Sequence, residues 1–322
     1  EAIDGVLQSK LESFQLMCDR LKLLDPHDAL FLLRHAFSLP KLTYFLRTSP
    51  CFKNTEMLKK YDKALRVALI SILNVGMEDS SWEQCSLPVR MGGLGIRSAS
   101  EISLPAYLSS VSATSEHITP LLPIYLRNGS NPFFTQATIQ WSTLLSGEEF
   151  PVLKSVQAAW DIPLCKKRFE NLLQSADTLE DKARLKAVSS EHASDWLNCI
   201  PLPSLSLKLN RQSLRIAVAL RLGSRICTPH KCHCTDTTSG QPITVDIKGL
   251  HGLSCASAAG KGRIARHDRA NDLIHRALAS ANYHCSLEPT GWCRDKKRPD
   301  GFSLYPYAEG KILAWDYTCR NT

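Results

Sequence analysis

Four side chains constrain this chain more than anything else in it: Cys232, Cys234, His251 and Cys255. They lie in residues 227–255, which read CTPHKCHC, then a polar stretch, then HGLSC. The segment has too few large apolar residues to bury a core of its own. Three thiolates and an imidazole at C-x-C and H-x3-C spacing supply the soft donors of a closed tetrahedral zinc site, which would hold such a segment together. The opening C-x-C is tighter than the usual C-x2-C, so Cys227, His230 and His233 stand as alternative ligands. The bland reading is a set of free thiols and surface histidines.

Cysteine use supports the metal. Seven of the twelve cysteines fall between Cys227 and Cys319. No secretory signal is visible at the N-terminus, so intracellular thiols or a metal site are expected rather than a disulfide framework. Cys18, Cys51, Cys85, Cys165 and Cys199 are scattered and read as ordinary buried thiols. The chain opens on Glu1 rather than Met and reads as a fragment of something longer. Its longest apolar run, Val67–Val75, is too short to span a bilayer, and no membrane partner is expected.

Charge is skewed the same way. Residues 201–322 hold 18 Lys and Arg against 9 Asp and Glu, a net of +9; residues 1–200 hold 21 against 22, a net of −1. A basic last third favours a polyanionic partner there, most simply nucleic acid, with residues 1–200 contributing less.

Apolar periodicity predicts helices through residues 1–76. Ile3, Leu7, Leu11, Phe14, Met17, Leu21 and Leu24 recur every three or four positions. Asp25-Pro26 caps and opens a second helix carrying Leu30, Leu33 and Phe37, which Pro40 closes. Asn54-Thr55 opens a third, with Leu58, Tyr61, Leu65, Leu69 and Ile72 on its inner face. The segment SLPVRMGGLGIRSA (86–99) breaks the pattern, and its glycines match neither the dinucleotide fingerprint nor the Walker loop. A tight turn against a neighbouring helix is expected. Helices resume at Ser98, and 115–205 reads as a helical, Pro-interrupted connector with Trp141, Trp160 and Trp196. After Leu222-Gly223, Gly, His and Cys become frequent, which places a boundary near 225. A helix over Ile264–Ala281 follows, with Ile274, Leu278 and Ala281 as a buried stripe, and then short alternating runs typical of strands.

Those last strands carry two acids sixteen positions apart, Asp300 and Asp316. Phe302, Leu304, Ile312 and Ala314 flank the tip Tyr307-Ala308-Glu309-Gly310, which predicts a hairpin of the three-residue, bulged kind. Centred on Ala308, its paired positions sum to 616, which sets Asp300 opposite Asp316. Cross-strand carboxylates repel unless a proton or a cation lies between them, and a hard divalent ion such as Mg²⁺ suits oxygen donors. Pro-Asp-Gly is also a common turn tripeptide, the plainer account of Asp300. Upstream, RHDRANDLIHRALASA carries Arg266, His267, Asp268, Asn271 and Asp272 on its first turns, and YHCSLEP carries Glu288. Helix, strand, then a strand pair with Pro-Asp and a second acid is the layout of PD-(D/E)xK nucleases.

On these motifs the chain resembles the C-terminal part of non-LTR retrotransposon reverse transcriptases that carry a restriction-like endonuclease. In that family a Cys-Cys-His-Cys knuckle precedes Arg-His-Asp, then Arg/Lys-Pro-Asp and a second acid. Here these are Cys232, Cys234, His251 and Cys255; Arg266, His267 and Asp268; Arg298, Pro299 and Asp300; and Asp316. DALFLLRHAFSLPKLTYFLRTSP and SLPVRMGGLGIRSASEISLPAYLSS resemble the helical thumb after the polymerase palm.

The resemblance implies an α+β chain. Its mostly helical first two-thirds would comprise a thumb-like region (1–112) and a connector (113–225). A zinc knuckle (226–260) and an incomplete PD-(D/E)xK-like nuclease domain (261–322) would follow. It implies structural zinc, and Mg²⁺ held by Asp300 and Asp316, with Glu288 as a third acid and His267 and Asp268 orienting the helix or touching phosphate. Arg263, Arg266, Arg269, Lys296, Lys297 and Arg298 would neutralise the backbone of target DNA or element RNA. The implied activity is nicking of target DNA to prime reverse transcription, in the nucleus after cytoplasmic synthesis, together with the remainder of the reverse transcriptase polypeptide. The polymerase Asp-Asp pair does not occur here, and x-Lys does not follow Asp316, so Lys311, Lys297 and Arg298 are the stand-ins for the family's basic residue. The other readings are a non-catalytic zinc-knuckle module that positions nucleic acid, and a structural helical protein with cysteines in its core.

Overall fold

A computed structural model describes residues 2–124, 129, 131–146, 148–236, 238–255, 262–291 and 298–318, with the side chain of Arg263 left aside. The chain is mostly helical with small antiparallel sheets, an α+β fold. It divides into two compact units, Glu1–Ile226 and Cys227–Thr322. No helix among the described residues is long and apolar enough to cross a membrane.

The first unit is built on its apolar stripes. Helix α1 (Ala2–Leu21) buries Leu7, Leu11, Phe14, Cys18 and Leu21, and α4 (Thr55–Leu73) buries Leu58, Tyr61, Leu65, Leu69 and Ile72 against them. The Phe14 and Tyr61 rings stack 4.8 Å apart. Helix α2 (Pro26–Leu32) starts as its sequence dictates. The Asp25 carboxylate accepts from the His27 N–H at 3.1 Å, and Pro26 fills a position whose N–H would have had no partner.

Beyond α2 the expectation needs correcting. The chain runs through a π-turn at Leu33–Phe37, and Pro40 opens a further helix, α3 (Pro40–Thr48), whose Leu42 and Leu46 are fully buried. Proline both ends one helix and suits the first turn of the next, so the residue alone does not say which.

Helices α5 (Asp79–Ser86) and α6 (Ala99–Ile118) bracket the glycine segment. Gly92 and Gly95 take φ of +84° and +72°, and a β-carbon on Gly93 would lie 2.0 Å from the Leu87 carbonyl. The loop spends its N–H groups internally, Gly93 on Pro88, Leu94 on Cys85 and Gly95 on Leu87. Its carbonyls face inward, where Gln84 and the buried Arg221 donate to Gly92, Gly93 and Val89. A phosphate cradle needs free N–H groups, so this is a packing turn.

Three helices lead on: α7 (Pro132–Leu144), α8 (Gln157–Ser175) and α9 (Leu179–Val188). With α6, helices α7 and α8 form a second core around Trp141 and Trp160, whose rings meet edge-on at 5.3 Å, while Leu185 of α9 packs in a smaller cluster with Leu87, Cys165 and Leu172. Both indoles are satisfied by carbonyls, those of Trp160 and Lys154. A single turn, α10 (Asp195–Asn198), precedes α11 (Arg211–Leu222), which carries Arg221 and ends on Gly223 at φ +66°.

The second unit has two sheets. Strands β1 (His230–Thr235) and β2 (Pro242–Val245) form a hairpin, followed by the one-turn α12 (His251–Ser254) and the long α13 (Gly262–Ser280). Strands β3 (Cys285–Leu287), β4 (Gly301–Ser303) and β5 (Ala314–Trp315) form the other sheet in that order. Every pairing in both is antiparallel. Parallel neighbours need a long crossover, which the short loops joining β1 to β2 and β4 to β5 cannot supply.

The β4–β5 register pairs Gly301 with Trp315 and Phe302 with Ala314, each summing to 616. The tip differs from the expectation. Ala308 bridges Lys311 across a two-residue turn in which Glu309 and Gly310 have φ of +51° and +72°. The longer arm absorbs the difference near Ser303, whose hydroxyl accepts from the Leu313 N–H and donates to the Tyr305 carbonyl.

Helix α13 also differs in detail. Ile274 and Leu278 are half-buried and Ala281 is exposed, while the buried residue is Asn271. With His267 four residues earlier, Asn271 extends the inner face toward the helix N-terminus as polar side chains.

Candidate metal centre and acid pair

Cys232 and Cys234 alternate on β1 with the exposed His233 between them, so both thiols are half-buried on one side of the strand. The strand is irregular here, since pairing jumps from Lys231↔Thr244 to Thr235↔Pro242. A bulge of this kind re-aims side chains, which is how C-x-C does the work of C-x2-C. The hairpin closes on Asp236, whose carboxylate accepts from the Ser239 and Thr238 N–H groups and is held below the usual carboxylate range by them. His251 opens α12 and Cys255 caps it one turn later, with the Cys255 N–H donating to the His251 carbonyl at 2.8 Å.

The four ligand atoms converge to within 4.8 Å of one another. Cys232 Sγ lies 3.7 Å from Cys255 Sγ, and Cys234 Sγ lies 3.0 Å from His251 Nε2. Zinc–sulfur bonds of about 2.3 Å give a tetrahedron with edges of about 3.8 Å, so the cluster can hold a zinc ion after small adjustments. Cys227 and His230 are engaged elsewhere, with the carbonyls of Asp246 and Thr228.

Proton chemistry fits the same use. Hydrogen bonds from the Cys234 backbone, then its side chain, pull the Cys232 thiol below its ordinary value. The Cys234 thiol moves upward through desolvation and the neighbouring Cys232 and Cys255 sulfurs. Crowded thiolates repel, and a soft dication removes that repulsion.

The second constellation lies where α13 meets the three-stranded sheet. His267 Nε2 is 3.1 Å from Asp300 Oδ2, and the Tyr317 N–H donates to the same oxygen. Asp300 is buried, and its Oδ1 accepts no hydrogen bond from the described residues. Asp268 lies 3.5 Å from His267 Nδ1 on the outer side. Asp316 follows the last paired residue of β5 and is exposed.

Glu288 is turned away from this group. It follows β3 with φ +44°, and its carboxylate pairs with Arg298 at 3.0 Å. Arg266 is half-buried, whereas Arg269 is exposed and 3.8 Å from Asp272. Lys296 and Lys297, and the side chain of Arg263, lie outside the described residues. Among the described residues, the only group of three or more His, Cys, Asp or Glu side chains gathered tightly enough for one ion is the Cys232–Cys234–His251–Cys255 cluster.

Gly301 is not a turn residue. It opens β4, and a β-carbon there would lie 2.1 Å from the Trp315 ring. The Pro-Asp-Gly glycine therefore makes room for a cross-strand indole. Sequence reasoning placed Asn271 on the helix's first turns without giving it a role and missed Trp315 and Tyr317 around the acids; the i, i+4 spacing of His267 and Asn271 was the available signal.

No protein-family profile matches the chain, and no curated protein matches it by sequence.

Proposed function

We propose that residues 227–322 form a zinc-supported nucleic-acid module that nicks DNA with Mg²⁺, as part of a non-LTR retrotransposon reverse transcriptase acting in the nucleus. One observation carries the reading. His267 of Arg-His-Asp and Asp300 of Arg-Pro-Asp, 33 residues apart, meet at 3.1 Å. The register summing to 616 brings the second acid to the same strand ends.

In this reading Asp300 is the anchored acid, with Oδ2 fixed by His267 and Tyr317 and Oδ1 left for a cation. Asp316 is the open acid on the solvent side. Mg²⁺ at the two carboxylates would supply a Lewis acid and a bound water of lowered pKa. His267 acts by orienting Asp300. Arg266, Arg269 and Arg298 face the sugar-phosphate backbone of target DNA or element RNA without reading sequence. Glu288, paired with Arg298, is a salt-bridge partner of that surface more than a third acid; this pair favours the second reading, a non-catalytic module.

The test is nicking of supercoiled plasmid by the protein as its full reading frame encodes it, with Mg²⁺ titrated from zero. The reading expects Mg²⁺-dependent nicks that Asp300→Asn and Asp316→Asn each reduce by about a thousandfold or more, with DNA affinity within about twofold. Nicking by both variants at the wild-type rate would overturn the acid pair, and DNA binding with no nicking at any Mg²⁺ concentration would leave the non-catalytic module in its place.

A further inference from the structure

The acids are held by more than their own contacts. Asn271 is buried on the inner face of α13 at 5% exposure. Its Nδ2 donates to the Asp300 carbonyl at 3.1 Å, and its Oδ1 accepts from the Trp315 indole N–H at 2.8 Å. One amide thus grips β4 at the first acid and β5 at the residue before the second. Only one orientation of the amide satisfies both bonds, because a carbonyl must receive a donor and an indole must be given an acceptor.

The other contacts close the frame. The Asp300 carbonyl also accepts from the Glu288 N–H at 3.0 Å, which ties it to β3. The Trp315 ring occupies the space a side chain at Gly301 would need. Asp316 therefore lies between two tethered neighbours, Trp315 bonded to Asn271 and Tyr317 bonded to the Asp300 carboxylate. Its backbone is fixed on both sides while its carboxylate stays in solvent.

We infer that Asn271, with Trp315 as its partner, is the positioning residue that sets how Asp300 and Asp316 stand relative to one another. The inference rests on the reading of those acids as a cation pair, but the clamp itself can be tested apart from it. An Asn amide suits the task because it is uncharged. A carboxylate at position 271 would set oxygen against the Asp300 carbonyl, and an apolar group would leave that carbonyl and the indole with fewer partners.

Two measurements on the intact chain separate the clamp from the reading. The first is amide hydrogen exchange at Tyr317, whose N–H is bonded to Asp300. Asn271→Leu should speed it by about tenfold or more, the scale of one lost buried hydrogen bond, and Trp315→Phe should speed it less. Trp315→Phe keeps the ring and drops only the N–H, so it carries the test should Asn271→Leu fold poorly. Unchanged Tyr317 exchange in the folded variants would overturn the clamp, whatever the metal result.

The second is Mn²⁺ binding followed by the electron-spin signal of the free ion. Wild type should bind one Mn²⁺ that Asp300→Asn abolishes, and Asn271→Leu should weaken it about tenfold while Asp300 stays in place. Mn²⁺ binding that Asp300→Asn leaves intact, or none at all, would sink the cation-pair reading. If exchange still rose in Asn271→Leu, the clamp would remain as the feature that fixes the hairpin.

Discussion

The two units are stabilised by different means. The first buries dozens of apolar side chains, including fully enclosed Trp141 and Trp160. In the second, the buried apolar side chains among the described residues are Val245, Pro289 and Cys255, and Cys255 belongs to the metal cluster. What the second unit buries instead is polar and bonded: Asn271, Asp300 and Ser303. Apolar burial stabilises without direction, whereas ligands and hydrogen bonds act only in one geometry. The second unit should therefore depend on its ligands and its specific bonds in a way the first does not.

The largest effect expected is in the first unit. Trp141→Ala removes a fully buried ring and its bond to the Trp160 carbonyl, and should lower stability by about 3–5 kcal/mol. Denaturant unfolding with and without zinc checks it, and the loss should be the same in both. A zinc-dependent loss would break the comparison.

Arg221 comes next. Burial pushes its pKa down to about 10, and its guanidinium donates to Gly93, Ala193, Val89 and Ser194. Arg221→Leu leaves buried carbonyls without a donor and should cost about 2–4 kcal/mol by the same titration, loosening the glycine turn. Protease cleavage within 86–96 should report that loosening.

Gly301→Ala sharpens the contrast from the other side. The added carbon overlaps the Trp315 ring, so about 1–3 kcal/mol should be lost from the second unit alone, at unchanged cooperativity in the first. Exchange of the Ser303 and Leu313 amides would follow it.

The smallest effect is a pH dependence confined to the first unit. His27 Nδ1 accepts from the Leu209 N–H at 3.0 Å, and burial lowers the His27 pKa against the opposing pull of Asp28 and Asp25. A folded pKa below the unfolded one means that this contribution is present above about 6.5 and is lost as pH falls through the folded value. The unfolding midpoint should drop as pH falls from 7 to 5, and His27→Asn, which keeps an acceptor but cannot titrate, should flatten the slope. A slope unchanged in His27→Asn would assign the pH dependence to other groups.

How far the sequence could be read follows the same division. Period and caps marked α1, α2 and α4, because their apolar stripes face a continuous core and local signals agree with packing. Pro40 was ambiguous, so α3 went unseen. The quartet Cys232, Cys234, His251 and Cys255 was legible from residue type and spacing alone, since few other arrangements place soft donors so near one another. The hairpin register was legible too, although the loop was not. A two-residue turn plus an irregularity at Ser303 reaches the same pairing as a loop centred on Ala308. Asn271 was legible only as a residue of the helix's first turns beside His267, and its bond to Trp315 could not be read, because that contact comes from a helix and a strand meeting across 44 residues.

The comparison stands or falls on metal removal. Protein purified without chelator should carry about one zinc per chain, as a four-ligand site requires. Stripping it should speed amide exchange across 230–255 while leaving exchange in Glu1–Ile226 unchanged. A metal-free chain with 230–255 protected as before, or one whose first unit loosened with the second, would contradict the account.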